Sequence, residues 1–326
     1  MPEKWQQILS DLITEPKELV EILGLNPEER PPELAALAQF PLKAPRPFVS
    51  RIERGNWEDP LLRQIWPAGE EAVADPALNT DPLEETRFNP APGLLQKYRG
   101  RVLLSVAPHC AVHCRYCFRR HFDYAANTPG RRQWRQALTA IAEDATITEV
   151  IFSGGDPLAV PDRQLRWLLG ELDAIPQLTT LRIHSRLPIV IPQRITPSLR
   201  ALLQGTRLQV VLVLHVNHAR ELDHAVAGAM SELQADGLTL LNQSVLLAGV
   251  NDSVTALAEL SHALFRCHVL PYYLHMPDPV AGTSHFQVSE ARARRLMASL
   301  RARLPGYLVP RLVREIPGRD AKTTLA

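Results

Sequence analysis

The sequence is short of cysteine, of net charge and of long apolar runs. Four cysteines in 326 residues do not make the disulfide framework of a small secreted domain. Thirty-six Lys and Arg stand against 35 Asp and Glu, which leaves no field to draw the chain to nucleic acid or a membrane surface. No segment approaches the roughly 18 uninterrupted apolar residues of a membrane-spanning helix. The opening MPEKWQQILSDLITEPKEL is polar and amphipathic, without the apolar stretch of a secretory leader. The expectation is a cytoplasmic protein with no direct nucleic-acid partner and no membrane partner. Internal repeats and low-complexity tracts are also missing. With 45% hydrophobic and 22% charged residues, the composition is that of a soluble globular chain.

What is present changes character near residue 95. Residues 1–95 read as an irregular helical wrap. Helical spacing of apolar residues covers 6–13 and 16–23, and 26–36 opens on a capping Asn. The Pro-rich stretch that follows reads as loop. Residues 96–310 alternate short apolar runs with amphipathic segments. The runs are 102–106, 149–153, 180–184, 208–215, 238–247 and 267–274; the helical segments lie near 132–143, 162–174, 196–204, 218–235, 254–265 and 288–303. Alternation of this kind implies βαβ units and a parallel sheet. Six units suit an α/β fold built as a partial parallel (β/α)6-type barrel, with a doubly wound sheet as the alternative.

Three of the four cysteines fall within eight residues, Cys110, Cys114 and Cys117, in SVAPHCAVHCRYCFRRHF. The spacing Cys-x3-Cys-x2-Cys follows directly on the first run. Cysteine thiolates hold iron–sulfur clusters, and three of them fill three corners of a [4Fe-4S] cluster, leaving one iron open to a ligand. Zinc held with His109, His113 or His121 is the competing reading. Cys267, far off at the start of the last run, reads as a small core residue.

This loop resembles that of the radical S-adenosylmethionine superfamily. The resemblance implies that the open iron binds S-adenosylmethionine, and it puts Tyr116 in the aromatic place against adenine. Gly154 and Gly155 in SGGDPL resemble the turn that meets the methionine amino group, and Ser185 and Arg186 resemble further contacts on the third strand. Taken together, YRGRVLL, CRYCFRR, SGGDPL, LPIVIPQRIT, NQSVLLAGVND and LPYYL resemble the lysine 2,3-aminomutase family over most of the chain.

That family adds pyridoxal 5'-phosphate to the radical machinery and moves the amino group of L-lysine from the α to the β carbon. The resemblance implies that Lys322 anchors the pyridoxal phosphate on a C-terminal tail, residues 311–326, although Arg319, Asp320 and Ala321 replace the family's glycines there. Tyr98, Arg101 and Asp156 align with residues near this cofactor. Arg119, or else its neighbour Arg120, matches the arginine that grips the substrate carboxylate; the planar guanidinium suits that task. Asp252 and Glu315 match two acids that hold the distant ammonium, Glu315 standing where the family has Asp.

No cysteine-rich extension follows Lys322. In this the chain resembles the branch that supplies (R)-β-lysine for elongation factor P, which a lysyl-tRNA-synthetase-like ligase attaches. A flavodoxin- or ferredoxin-type electron donor is implied as well. A glutamate 2,3-aminomutase and a zinc-stabilised binding protein without catalysis are the rival expectations.

Overall fold

The apolar runs become strands, and each lies beside the next. In the computed structural model, which describes residues 3–122 and 130–326, nine strands form one sheet in chain order. They are β1 (Leu94–Tyr98), β2 (Arg101–Ala107), β3 (Glu149–Gly154), β4 (Thr180–Ser185), β5 (Gln209–His215), β6 (Thr239–Val245), β7 (Leu270–His275), β8 (Arg311–Arg314) and β9 (Thr323–Thr324). From β2 to β8 every pairing is parallel. β1 and β9 close the two edges antiparallel.

Helices Arg131–Glu143, Asp162–Asp173, Pro197–Gly205, His224–Ala235, Val254–Arg266 and Glu290–Arg303 make the crossovers. Neighbour-to-neighbour winding of one hand puts these helices on one face of the sheet. The sheet is therefore an open barrel with its helices outside. Seven parallel strands, not six, make up the run. β8 escapes notice in the sequence because its Arg-Leu-Val-Arg holds only two apolar residues. The last run also starts later than expected: Cys267 caps the preceding helix and is buried, and His268 turns with φ 59°. Expected helix 218–235 is broken into a turn at Ala219–Glu221 and a helix at His224–Ala235.

Side chains alternate across each strand. On β4, Leu181 and Ile183 join the helix-side core, while Arg182 and His184 face the other way. The inner face is polar on neighbouring strands too, where Arg182 pairs with Glu149 at 2.6 Å. The core thus lies between sheet and helices, and the barrel interior is left to charged and aromatic groups.

The N-terminal segment packs onto this scaffold and has no core of its own. Trp5, Ile13, Phe48, Leu61 and Ile65 belong to the same apolar cluster as Leu181, Leu212 and Leu240. Its helices are Lys4–Ser10, Pro16–Leu23 and Leu34–Gln39, the third later than its expected place at 26–36. Trp5 carries the guanidinium of Arg194 4.3 Å above its ring. Arg194 is itself fully buried, donating to the Leu158 carbonyl at 2.7 Å and pairing with Asp162 at 2.7 Å. Among the described residues no helix is long and apolar enough to cross a membrane. Replacing Trp5 with alanine should lower stability by about 3–5 kcal/mol in urea unfolding, because it empties a closed site and uncovers a buried arginine.

Candidate active site at the carboxyl ends of the strands

The loop after β2 carries Cys110, Cys114 and Cys117, all half-buried and free. Burial pushes the Cys117 thiol up to about 12, with Cys114 adding to the effect. Cys110 is raised by burial and by Asp156, Cys117 and Cys114, so the three sulfurs feel one another.

An ion triad locks this loop to the N-terminal segment. Arg115 donates to Glu71 at 2.8 Å through Nε, and to the Phe40 carbonyl at 2.5 Å. Arg120 donates to the same Glu71 carboxylate at 2.6 Å and to the Gly282 carbonyl at 2.9 Å. Both guanidiniums stack on the Phe40 ring, at 5.1 and 5.3 Å. Arg120 thus helps to hold the loop through Glu71 and Gly282. Of the histidines that zinc would need, His113 turns a ring nitrogen to the Pro41 carbonyl at 2.8 Å, and His121 one to the Ala281 carbonyl at 3.1 Å. Among the described residues, no three His, Cys, Asp or Glu are placed to hold a single metal ion.

The glycine turn after β3 lies against the start of the same loop. Gly154 has φ +104°, and a Cβ there would fall 2.5 Å from the Ser105 hydroxyl. A Cβ on Gly155 would fall 2.4 Å from the His109 carbonyl oxygen. Asp156 is buried and ties β3 to β4: it accepts from the Ser185 hydroxyl at 2.6 Å and from the Arg186 and Leu187 amides at 2.8 Å each. Its carboxylate is committed to the scaffold.

Arg186 reaches the cysteine loop. It donates to the Cys114 sulfur and to the Tyr116 hydroxyl, both at 2.6 Å. Its other nitrogen meets Gln64 at 2.8 Å and Glu221 at 3.0 Å. The Tyr116 hydroxyl also contacts His215 at 2.8 Å, and its ring meets Phe286 edge-on at 6.0 Å. Gln64 and Glu221 were not singled out from the sequence. Glu221 sits in the turn between β5 and its helix, where an acid reads as an ordinary helix start.

A second set of charges runs alongside. Arg119 is clasped by Glu85 at 2.7 and 2.8 Å, and donates to the Ser153 hydroxyl at 3.1 Å and the Gly154 carbonyl at 3.2 Å. Lys97 bridges Glu85 at 3.4 Å to Glu315 at 3.0 Å, and Glu315 is hydrogen-bonded to Lys322. Burial works to raise the Glu315 carboxyl, but Lys322 and Lys97 outweigh it and hold it at about 2. Asp278, just past β7, feels the same group: burial and the negative Glu315 raise it to about 7. Tyr98 lies under Arg101 at 4.7 Å, and burial and Glu315 raise its hydroxyl.

Asp252 does not join Glu315, which corrects the sequence expectation. Its carboxylate accepts from the Gly249 amide at 2.9 Å and pairs with Arg292 at 2.6 Å, so it closes a turn. The acid that accompanies Glu315 is Asp278.

A curled parallel sheet that gathers a cysteine loop and a chain of ion pairs at its carboxyl ends has the layout of a barrel enzyme. Residues 99–175 match the model of the 4Fe-4S single cluster domain. The L-lysine 2,3-aminomutase of Escherichia coli is 50% identical over 99% of this chain and 94% of its own. That of Haemophilus influenzae is 48% identical over 99% and 96%, and that of Buchnera aphidicola 42% over 98% and 94%. Among solved structures, a radical SAM methyltransferase from Sphaerobacter thermophilus is 20% identical, with a TM-score of 0.49 over 68% of each chain. The chain belongs to the lysine 2,3-aminomutase family.

Removing one member of a buried ion triad leaves the others uncompensated. Glu71→Ala should cost about 3–5 kcal/mol in urea unfolding. Glu70→Ala, on an exposed neighbour, should stay within about 0.5 kcal/mol.

Proposed function

We propose that this chain is a radical enzyme that converts L-lysine to β-lysine. The observation that carries the reading is the unbroken series Arg119–Glu85–Lys97–Glu315–Lys322, with Asp278 beside it, next to the cysteine loop. It offers a guanidinium for a carboxylate at one end and two acids for an ammonium at the other, as a diamino acid requires. Internal groups occupy both seats: Glu85 clasps Arg119 as a substrate carboxylate would, and Lys322 meets Glu315 as a substrate ammonium would.

The donor sets fit the cofactors. Three mutually close thiols suit three irons of a [4Fe-4S] cluster, since a bound metal takes sulfur as thiolate and reverses the upward push of burial. When bound, the cluster with S-adenosylmethionine supplies a carbon radical, and pyridoxal 5'-phosphate supplies the conjugated ring across which an amino group can migrate. Cys110, Cys114 and Cys117 hold the cluster, and the Gly154–Gly155 turn, Tyr116, Ser185 and Arg186 frame the nucleotide beside it. Lys322 anchors the pyridoxal group with Lys97, Tyr98 and Arg101 around it. Arg119 orients the substrate carboxylate. Glu315, a methylene longer than the family's Asp, holds the ammonium with Asp278 and shifts its seat.

The product reading extends to (R)-β-lysine, placed on elongation factor P by a lysyl-tRNA-synthetase-like ligase. It is supported by the 50% and 48% identity with the E. coli and H. influenzae relatives. An electron carrier of flavodoxin or ferredoxin type would reach the cluster past exposed Pro108 and His109, in the cytoplasm.

Oxygen-free protein reconstituted with iron and sulfide, then given S-adenosylmethionine, dithionite, pyridoxal phosphate and labelled lysine, should yield 5'-deoxyadenosine and β-lysine. Absence of deoxyadenosine overturns the reading; deoxyadenosine without β-lysine points to another amino acid. Asp278→Asn should cut kcat/KM for lysine by at least about thirtyfold, as truncating a buried charge pair does, whereas Asp252→Asn should change it by under about threefold. A protonated Asp278 offers no charge to an ammonium. With this carboxyl near 7, kcat/KM for lysine should fall as the pH drops through about 7, because kcat/KM reports ionisations of the free enzyme.

A further inference from the structure

Two histidines inside the barrel have no part in the reading above. His184 is the last inward residue of β4, and His275 the last residue of β7. Their registers place them deep at the carboxyl end: His184 lies opposite Val213, and His275 opposite Val313, two residues before Glu315. In both, the Nε2 atom is buried without a hydrogen-bond partner among the described residues. A buried ring nitrogen left unmet costs free energy unless something absent from the chain satisfies it.

What surrounds them limits the occupant. His184 feels Arg182, Lys322, Arg119 and His275, and His275 feels Lys322 and, in the opposite sense, the Glu315 carboxylate. Burial and these cations keep both rings neutral, His275 down at about 3. A neutral imidazole carries one N–H. Such a donor can bond an anionic oxygen without setting another positive charge beside the Lys322 amine.

We propose that His184 and His275 donate their Nε2–H groups to anionic oxygens of the pyridoxal phosphate held by Lys322. This rests on Lys322 being the anchor. The oxygens are of one chemistry with two sources, the phosphate and the ring phenolate. The pair, a binding clamp, stands on β4 and β7, near enough to feel each other and Lys322 and so to share one occupant.

The test is cofactor binding by the full chain, followed by absorbance titration and borohydride trapping with peptide mapping. Wild type should trap pyridoxal phosphate on Lys322; failure there removes the anchor reading itself and not the clamp alone. With that secured, His184→Phe and His275→Phe should each weaken pyridoxal phosphate about tenfold, the worth of one hydrogen bond to a charged group. His184→Gln and His275→Gln, which keep an N–H at a similar reach, should stay within about threefold. Pyridoxal without its phosphate separates the two sources. If its affinity is unchanged by the Phe variants, the phosphate is the partner; if it weakens equally, the phenolate is. Phe variants that fold, as judged by thermal melting, and bind pyridoxal phosphate within twofold of wild type overturn the clamp, and water then meets the two nitrogens. Should the Phe variants fail to fold, Gln variants that lose the cofactor by tenfold or more overturn it equally.

Discussion

The site depends on one carboxylate. Glu71 lies between Arg115 and Arg120 with its oxygens shared between both guanidiniums. Taking three such charges out of water costs several kcal/mol per ion, and only close pairing offsets it. The triad is therefore a poor source of net stability and a strong source of definition. Ala111 and Val112 sink the cysteine loop into the core, and the arrangement in which Arg115 and Arg120 both reach Glu71 is the one that leaves no buried charge alone. Tyr116 and Cys117 lie between those arginines in sequence, so the ring and the sulfur are set by the same constraint.

The irregular N-terminal segment has a corresponding role. It supplies Glu71 to the loop, Gln64 to Arg186 and Glu85 to Arg119. None of the three sits on a barrel strand. The barrel provides places at the ends of its strands, and the wrap provides the partners that keep arginines pointed. This is a division of labour between a rigid sheet and a segment that buries its own apolar residues against the outside of that sheet.

Much of this was legible in the residues because it is local. The cysteine spacing, the Gly-Gly turn and the alternation of apolar runs each sit within one short stretch, and the six runs all became parallel strands. What escaped depends on chain segments far apart in sequence. Glu85 and Glu221 look like ordinary acids until Arg119 and Arg186 arrive beside them. Asp252 and Asp278 both follow a strand end, so position alone does not separate them. The difference is that Asp252 has an amide and Arg292 to satisfy it nearby, whereas Asp278 is left facing Glu315. β8 and β9 were missed for a related reason: strands this short carry no pattern, and pairing with a neighbour makes them strands.

That last pairing has a consequence for how Lys322 is held. Lys322 immediately precedes β9, a ladder of two residues joined to β8 at Val313 and Arg314. Leu325 and Ala326 continue the pairing with main-chain bonds to Leu312 at 2.8 and 3.1 Å and pack on the apolar cluster that contains it, so the chain is anchored beyond the lysine as well. The amine thus sits between two fixed points, its own pairing with Glu315 and the seam that follows it. A side chain tethered on both flanks has little play, so where its amine reaches is dictated by the sheet rather than by a loose chain end.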